Sequence, residues 1–376
     1  MRKAPISTLE DNPLSAIELR RTPLFAACVE LGAKMTGFGG WEMPVQFAGL
    51  MEEHRTVRSG VGCFDISHMG KLALQGPWQT ALGQLVPSDL SPLQPGQGKY
   101  TVLLNEQGGI VDDLIVYSEG ADRATVIINA ATTAKDLAWL AAHLDPAVTV
   151  IDQSAEQILI AVQGPTAAAT LQPWITADLG QLKFYRSIRT HLGTDPVFMA
   201  RTGYTGEDGF EIMLDLEAGQ RLWQRLIEAG VAPCGLGSRD TLRLEAAMAL
   251  YGQDITEETT PFEGSLDWLV HFDRKGDFIG RAALEAQQAA GIPRRLVGLS
   301  LPDRHIARHD YPVLYQGEPV GIVTSGTFSP TLSRPIALAY VPTALAEVGQ
   351  ALEVQIRNKF ITAEVVNRPF YRRPKP

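Results

Sequence analysis

The chain has 376 residues, more than one hydrophobic core usually serves, so two or three packed domains are expected. Hydrophobic residues make up 45% of it and charged residues 20%, a balance that excludes a disordered chain. The formal net charge of -9 excludes a surface built for nucleic acid, which demands clustered Lys and Arg.

The first 24 residues contain Glu10, Asp11 and Glu18 and lack the apolar core of a secretion signal. No stretch reaches the roughly 18 apolar residues of a membrane span. A soluble, cytoplasmic protein with no membrane partner is expected. Cys28, Cys63 and Cys234 are isolated, with no CxxC pair and no His at ligand spacing, so neither a disulfide framework nor a metal site is expected and a reducing compartment fits. The basic residues Arg368, Arg372, Arg373 and Lys375 at the end read as a solvated tail.

Two segments echo each other. Lys71 to Leu82 reads as a short strand, the turn Gln75-Gly76-Pro77 and a helix; Ile158 to Leu171 reads as a strand, Gln163-Gly164-Pro165 and a helix. Gly allows the sharp turn and Pro suits the first helical position. Either a duplicated unit or two common strand-to-helix turns accounts for this, and both imply mixed α+β lobes. Between the echoes, Tyr100 to Leu104, Ile110 to Tyr117 and Ala124 to Asn129 read as strands, the first two joined by turn residues Asn105 to Gly109. A helix follows, capped by Thr132 or Thr133, with Leu137, Leu140, Ala141 and Leu144 at helical spacing.

Phe198 to Leu214 reads as a hairpin turning at Thr205 to Gly209, and Ser238 to Tyr251 as a helix capped by Ser238 and stopped by Gly252. From Arg295 the pattern changes to short alternating runs, Leu296 to Leu301, Val320 to Thr324, Ile336 to Val341 and Leu352 to Ile356, separated by Gly and Pro turns. They suggest an antiparallel β-barrel or sandwich. The expected division is a catalytic region of two α+β lobes at 1–290 and a C-terminal β-barrel at 291–376.

Three constellations could carry chemistry. Asp112 and Asp113 lie inside an apolar strand, where alternation puts Asp113 with Val111, Ile115 and Tyr117, and Asp112 with Ile110, Leu114 and Val116. Neither face looks solvated, so each carboxylate must be hydrogen-bonded, paired or functional, and periodicity does not choose between them. Beyond the Asp208-Gly209 turn, Glu211 alternates against Phe210 and Ile212 and can line a pocket, where one carboxylate can accept from an amino group beside a ring N–H. A surface Glu on a hairpin is the plainer reading. Cys234 to Asp240 runs a glycine-containing loop into a helix N-terminus, with Arg239 in the first turn able to grip a carboxylate. A local Arg–Asp pair fits the segment equally well.

Taken together, these segments resemble the aminomethyltransferase, or T-protein, family of the glycine cleavage system. The resemblance is carried by Arg21-Thr22-Pro23-Leu24, Gly39-Gly40-Trp41-Glu42-Met43-Pro44-Val45-Gln46, Phe64-Asp65-Ile66-Ser67-His68-Met69, Asn105 to Tyr117, Gly203 to Ile212, Ser238 to Gly252 and Gly321 to Pro330, and so covers nearly the whole chain. It implies lobes around a central opening for tetrahydrofolate, with a barrel closing one side. It also selects Asp113 as the catalytic carboxylate and places Met69, Tyr100, Tyr117 and Asn129 around the pterin, with Tyr204 beside it. Glu211 is implied at the pterin edge and Arg239 on the glutamate tail, with Tyr371 carried over from the variable C-terminal end. His68 reads as a structural hydrogen-bonder.

The reaction the resemblance implies brings an aminomethyl group on the lipoyl arm of H-protein to the pocket. Ammonia leaves, and the methylene carbon passes to tetrahydrofolate to give 5,10-methylenetetrahydrofolate. A related folate-binding iron–sulfur maintenance protein is the alternative. Such relatives carry a Lys-Gly-Cys motif near Gly-Gln-Glu, and Leu244 to Asp254 has no cysteine here.

Overall fold

The structure, a computed structural model, describes residues 18–374; Glu10, Asp11 and Lys375 lie outside them. The chain opens with helix α1 (Phe25–Glu30) and a hairpin of β1 (Lys34–Phe38) and β2 (Trp41–Gln46), followed by α2 (Leu50–Ser59) and β3 (Gly62–Asp65).

The first lobe is β4 (Gly70–Gln75), α3 (Trp78–Gly83), the meander β5 (Gly98–Leu104), β6 (Ile110–Gly120) and β7 (Arg123–Ile128), then α4 (Thr133–His143) and β8 (Thr149–Asp152). Its five strands lie in the order β5-β6-β7-β4-β8. The second lobe is β9 (Gln157–Gln163), α5 (Ala167–Leu171), the meander β10 (Ser187–Leu192), β11 (Asp195–Ala200) and β12 (Gly209–Asp215), then α6 (Leu216–Glu228) and β13 (Ala232–Pro233). Its order is β10-β11-β12-β9-β3-β13, the same succession with β3 inserted before the last strand. Every neighbouring pair is antiparallel except β13 with β3, so β13 runs against β9 as β8 runs against β4. The echo at Gln75-Gly76-Pro77 and Gln163-Gly164-Pro165 therefore marks two lobes of one plan. Gly76 and Gly164 both take positive φ, and a side chain on either would meet backbone oxygen at 2.3 Å. The prolines sit earlier than expected: Pro77 is the N-cap residue of α3, one step before the first helical position, and Pro165 precedes the Thr166 N-cap of α5, two steps before it.

Next come α7 (Leu236–Glu245) and α8 (Arg281–Ala290), then β14 (Arg294–Ser300), β15 (Pro312–Tyr315), β16 (Glu318–Ser329), β17 (Arg334–Pro342), β18 (Ala351–Ile356) and β19 (Lys359–Val366). The last six strands close an antiparallel barrel in the order β14-β17-β16-β15-β18-β19, with β19 returning to β14. Four of them follow the alternating runs of the sequence; β15 and β19 give no comparable signal. Among the described residues no helix is long and apolar enough to cross a membrane.

Two departures from simple periodicity matter. In β6 the register slips, Leu103 facing Asp112 but Leu104 facing Ile110. Val111 is the extra residue of a bulge and packs with Leu114 and Val116, instead of sharing the face of Asp113. Helix α7 starts at Leu236 and ends at Glu245, well short of Tyr251. Ala247 takes φ of 53°, its N–H donating to Leu244 O while Met248 N–H donates to Arg243 O, which closes the helix without glycine. Ser238 is the third helical residue, and its hydroxyl bonds Glu53 and Gly235 O.

Candidate active site

A cavity of about 330 Å³ lies where the two lobes meet the chain leading to the barrel. Its wall includes Met69, Tyr100, Asp113, Asn129, Tyr204, Glu211 and Arg239, which are far apart in sequence. A wider notch of about 660 Å³ beside Glu18, Arg20, Arg21 and Glu42 gathers none of these residues.

Asp113 reaches the cavity because β6 turns its two faces to different neighbours. Asp112 points toward α4 and is fully buried, while Asp113 points to the cavity and is half-buried. The turn before them is tightly seated: a side chain on Gly109 would meet Glu257 O at 1.9 Å. Asn129, just past β7, spans both acids, its Nδ2 donating to Asp112 Oδ1 at 2.9 Å and to Asp113 Oδ1 at 2.8 Å. Thr132, at the N-cap of α4, does not cap the helix; its hydroxyl donates to Asp112 Oδ2 at 2.6 Å. The donors around the pair are neutral. Burial and the like charge of Asp112 raise Asp113 to about 7, against bonds from Tyr100 and Asn129 that favour the anion.

Glu211, on β12, accepts from Thr202 Oγ1 at 2.7 Å, and Thr202 Oγ1 is 2.8 Å from the Tyr117 hydroxyl. Burial raises Glu211, partly offset by Thr202 and by the charge of Arg239. Arg239, in the first turns of α7, lies with its guanidinium 4.7 Å from the Tyr204 ring centre. It forms no ion pair among the described residues, because Asp240 pairs with Arg243 at 2.9 Å instead. A half-buried guanidinium with no carboxylate is costly unless a ligand supplies one.

Two residues expected at the site lie elsewhere. Tyr117 is buried in the core between β6 and β12, edge-on to Phe198, and meets Glu211 only through Thr202. Tyr371 packs its ring 3.9 Å from the Arg58 guanidinium, outside the cavity wall, because Tyr371 N–H is tied to Glu245 O at the end of α7. His68 lines the cavity edge-on to Phe38, and its buried Nδ1 has no partner among the described residues, so Nδ1 makes none of the structural hydrogen bonds expected of it; burial and the charges of Arg239 and Lys71 lower it to about 3.

Other wall residues gave no sequence signal. Tyr185 follows a loop and takes φ of 57°; Trp268 stacks on Tyr100 with ring centres 6.0 Å apart. Arg368 also lines the cavity, and Arg373 reaches Asp208 at 3.3 Å, so the basic C-terminal residues are not merely a solvated tail.

Two α+β lobes and a closed barrel around a cavity with acids on two strands and guanidinium groups, those of Arg239 and Arg368, that form no ion pair among the described residues define a class of small-molecule transferase. The GCVT N-terminal domain matches residues 24–274, and the glycine cleavage T-protein C-terminal barrel domain matches residues 294–372. The aminomethyltransferase of Rippkaea orientalis is 60% identical over 95% of this chain and 98% of its own length, and that of Nostoc sp. 59% identical over 95% and 97%. The crystal structure of glycine cleavage system aminomethyltransferase T from Bartonella henselae superposes with a TM-score of 0.89 at 36% identity, covering 95% of this chain and 99% of that one. The chain belongs to the glycine cleavage T-protein family, the tetrahydrofolate-dependent aminomethyltransferases.

Proposed function

We propose that the chain takes the methylene carbon from the aminomethyl-lipoyl arm of H-protein, releases ammonia and forms 5,10-methylenetetrahydrofolate, with Asp113 as the catalytic carboxylate. When bound, tetrahydrofolate supplies the amine nitrogens that receive the carbon. The residues present fit it. Glu211 has acceptor capacity beyond its bond from Thr202, enough for an amino group beside a ring N–H at the pterin edge. Arg239 is free to take the carboxylate of the glutamate tail. Met69, Tyr100, Asn129 and Tyr204 line the cavity, where the first three would border the pterin and Tyr204 would flank it. Tyr117 supports Glu211 through Thr202, and Tyr371 contributes by holding Arg58.

Positive charge develops on the departing amine and on the attacking nitrogen. Asp113 stabilises that charge from the partly buried wall of the cavity, and a group near 7 can carry the proton as the amine leaves. The observation that most supports this reading is the aim of Asp113 into the cavity while Asn129 fixes it against a second, deeper acid. The three cysteines are buried free thiols, which supports a reducing, cytoplasmic setting. The chain divides most naturally between Ala290 and Arg294, the end of α8 and the start of the barrel.

The test is a single-turnover assay with aminomethyl-loaded H-protein and tetrahydrofolate, following ammonia and methylenetetrahydrofolate together. Stoichiometric release of both is expected. Ammonia without the folate product would defeat the proposal.

A further inference from the structure

Behind Asp113 and Asp112 stands a third acid. Asp136 lies in the first turn of α4, its N–H donating to Thr132 O, and its side chain is fully buried. Neither carboxyl oxygen receives a hydrogen bond among the described residues. The adjacent ammonium of Lys135 does not neutralise it, being turned to Val111 O, the Tyr251 hydroxyl and Glu257. Thr132 gives its hydroxyl proton to Asp112. A buried carboxylate with no donor is too costly to persist as an anion, whereas a carboxylic acid can itself donate. The acceptor within its reach is Asp112, which uses one oxygen for Asn129 and the other for Thr132 and has lone pairs to spare.

We infer that Asp136 holds a proton and donates it to Asp112, and so acts as the positioning residue that keeps Asp112 charged beside Asp113. This rests on the reading of Asp113 as the reacting carboxylate. The row of acids then runs from a neutral Asp136 through a charged Asp112 to Asp113, with Asn129 bridging the last two. Burial and the bond and charge of Asp112 together push Asp136 up to about 10, in the same direction as the geometry. Of the other ionisable groups on the cavity wall with Asp113, Tyr100, Tyr185 and Tyr204 are held neutral by burial and His68 is held neutral by burial and nearby positive charge, while Glu211, Arg239 and Arg368 lie on the same wall. Near the row, Tyr251 and Glu257 are engaged by Lys135.

Two substitutions separate this from its rivals. Asp136→Asn keeps a donor toward Asp112 and removes only an ionisable group, so the acid limb of the transfer rate should stay within a few tenths of a pH unit. Asp136→Leu removes the donor; Asp112 then takes up the proton, Asp113 loses its charged neighbour, and the limb should fall by about one unit or more. If Asp136 were an anion, Asn would lower the limb as much as Leu. If it were merely structural, neither would move the limb, and either outcome overturns the inference. Infrared difference spectroscopy of the wild-type enzyme above its acid limb gives an answer even if the Leu variant does not fold. A carboxylic-acid carbonyl band lost in Asp136→Asn is expected, and its absence from the wild type overturns the assignment. Should Asp113→Asn keep full turnover, the reading of Asp113 fails while the band still decides the state of Asp136.

Discussion

The first and second lobes lay down their strands in the same succession, yet the Asp112–Asp113 pair of the first and Asp208 of the second, with Glu207 and Glu245 near it, have opposite partners. In the first, Asp112 and Asp113 meet Asn129, Thr132 and Tyr100, none of which carries a positive charge, and Asp136 sits behind them. In and beside the second, acids meet arginines: Asp208 pairs with Arg201 at 2.5 Å, and Arg58 reaches Glu207 at 3.0 Å and Glu245 at 2.8 Å. Burial would raise Asp208, but Arg201 and Arg373 outweigh it and hold it low. Burial likewise opposes Glu245, yet His54, Ser329 and Arg58 bring it to about 2. One fold thus yields acids able to exchange protons near neutrality and acids fixed as anions. What separates them is the partner set, which strand order does not specify.

The sharpest way to break this comparison is Asp113→Asn, which keeps shape and removes charge. Methylene transfer should fall by about 10²- to 10⁴-fold while folate affinity changes little. Turnover kept in this variant but lost in Asp112→Asn would move the chemistry to the deeper acid.

Next comes the opposite lobe. Arg58→Ala strips a buried cation from Glu245, Glu207 and Thr205 O, and should cost about 3–5 kcal/mol of stability in denaturant titrations. The pH dependence should separate the lobes by sign. Glu245 is lower in the fold than its ordinary 4.5, so its contribution is present above that value and is lost as pH falls toward about 2. Asp113 is raised from 3.8 to about 7, so its contribution is present below 3.8 and is lost as pH rises through about 7. Unfolding measured across pH should show the acid-side loss weakened in Arg58→Ala and the neutral-side loss weakened in Asp113→Asn. The same slope in both variants would erase the distinction between lobes.

The sequence made much of this arrangement visible, and for identifiable reasons. The Asp112-Asp113 pair stands out because two carboxylates in an apolar strand violate alternation, and Glu211 because a turn fixes the phase of the strand after it. Their partners were harder to see. The bulge at Val111 leaves no residue signature, so simple alternation puts its side chain on the wrong face. Helix α7 ends at an alanine in a left-handed conformation that the sequence offers no glycine to announce. Tyr185 and Trp268 arrive from irregular segments without periodicity, and Asp136 looks like any acid in a first helical turn until Asp112 is found beside it.

A smaller effect should resolve the two ends of the cavity. Glu211→Gln should weaken binding of every folate form, by about tenfold, including analogues without a glutamate tail. Arg239→Ala should matter only when the tail is present. Equal losses on a tailless pterin would contradict the assignment.

The smallest expected effect belongs to Tyr117, which crosses from β6 of the first lobe toward β12 of the second. Thr202 has one hydroxyl proton and spends it on Glu211, so the Tyr117 hydroxyl must donate to Thr202. The three groups form a relay in which each bond polarises the next, and its end is a carboxylate placed to read a ligand. Tyr117→Phe removes the first link and leaves Glu211 its direct bond from Thr202. Folate affinity should weaken by roughly 0.5 kcal/mol, about twofold and the low end of a net neutral hydrogen bond because the lost link is one step removed from the ligand, and the acid limb set by Asp113 should not move. If the loss instead matched that of Glu211→Gln, Tyr117 would have to touch the ligand itself, and the buried position beside Phe198 would have to open on binding. A loss confined to turnover would mean that the first lobe's β6 carries a second group in the chemistry, and the division of labour between the lobes would no longer hold.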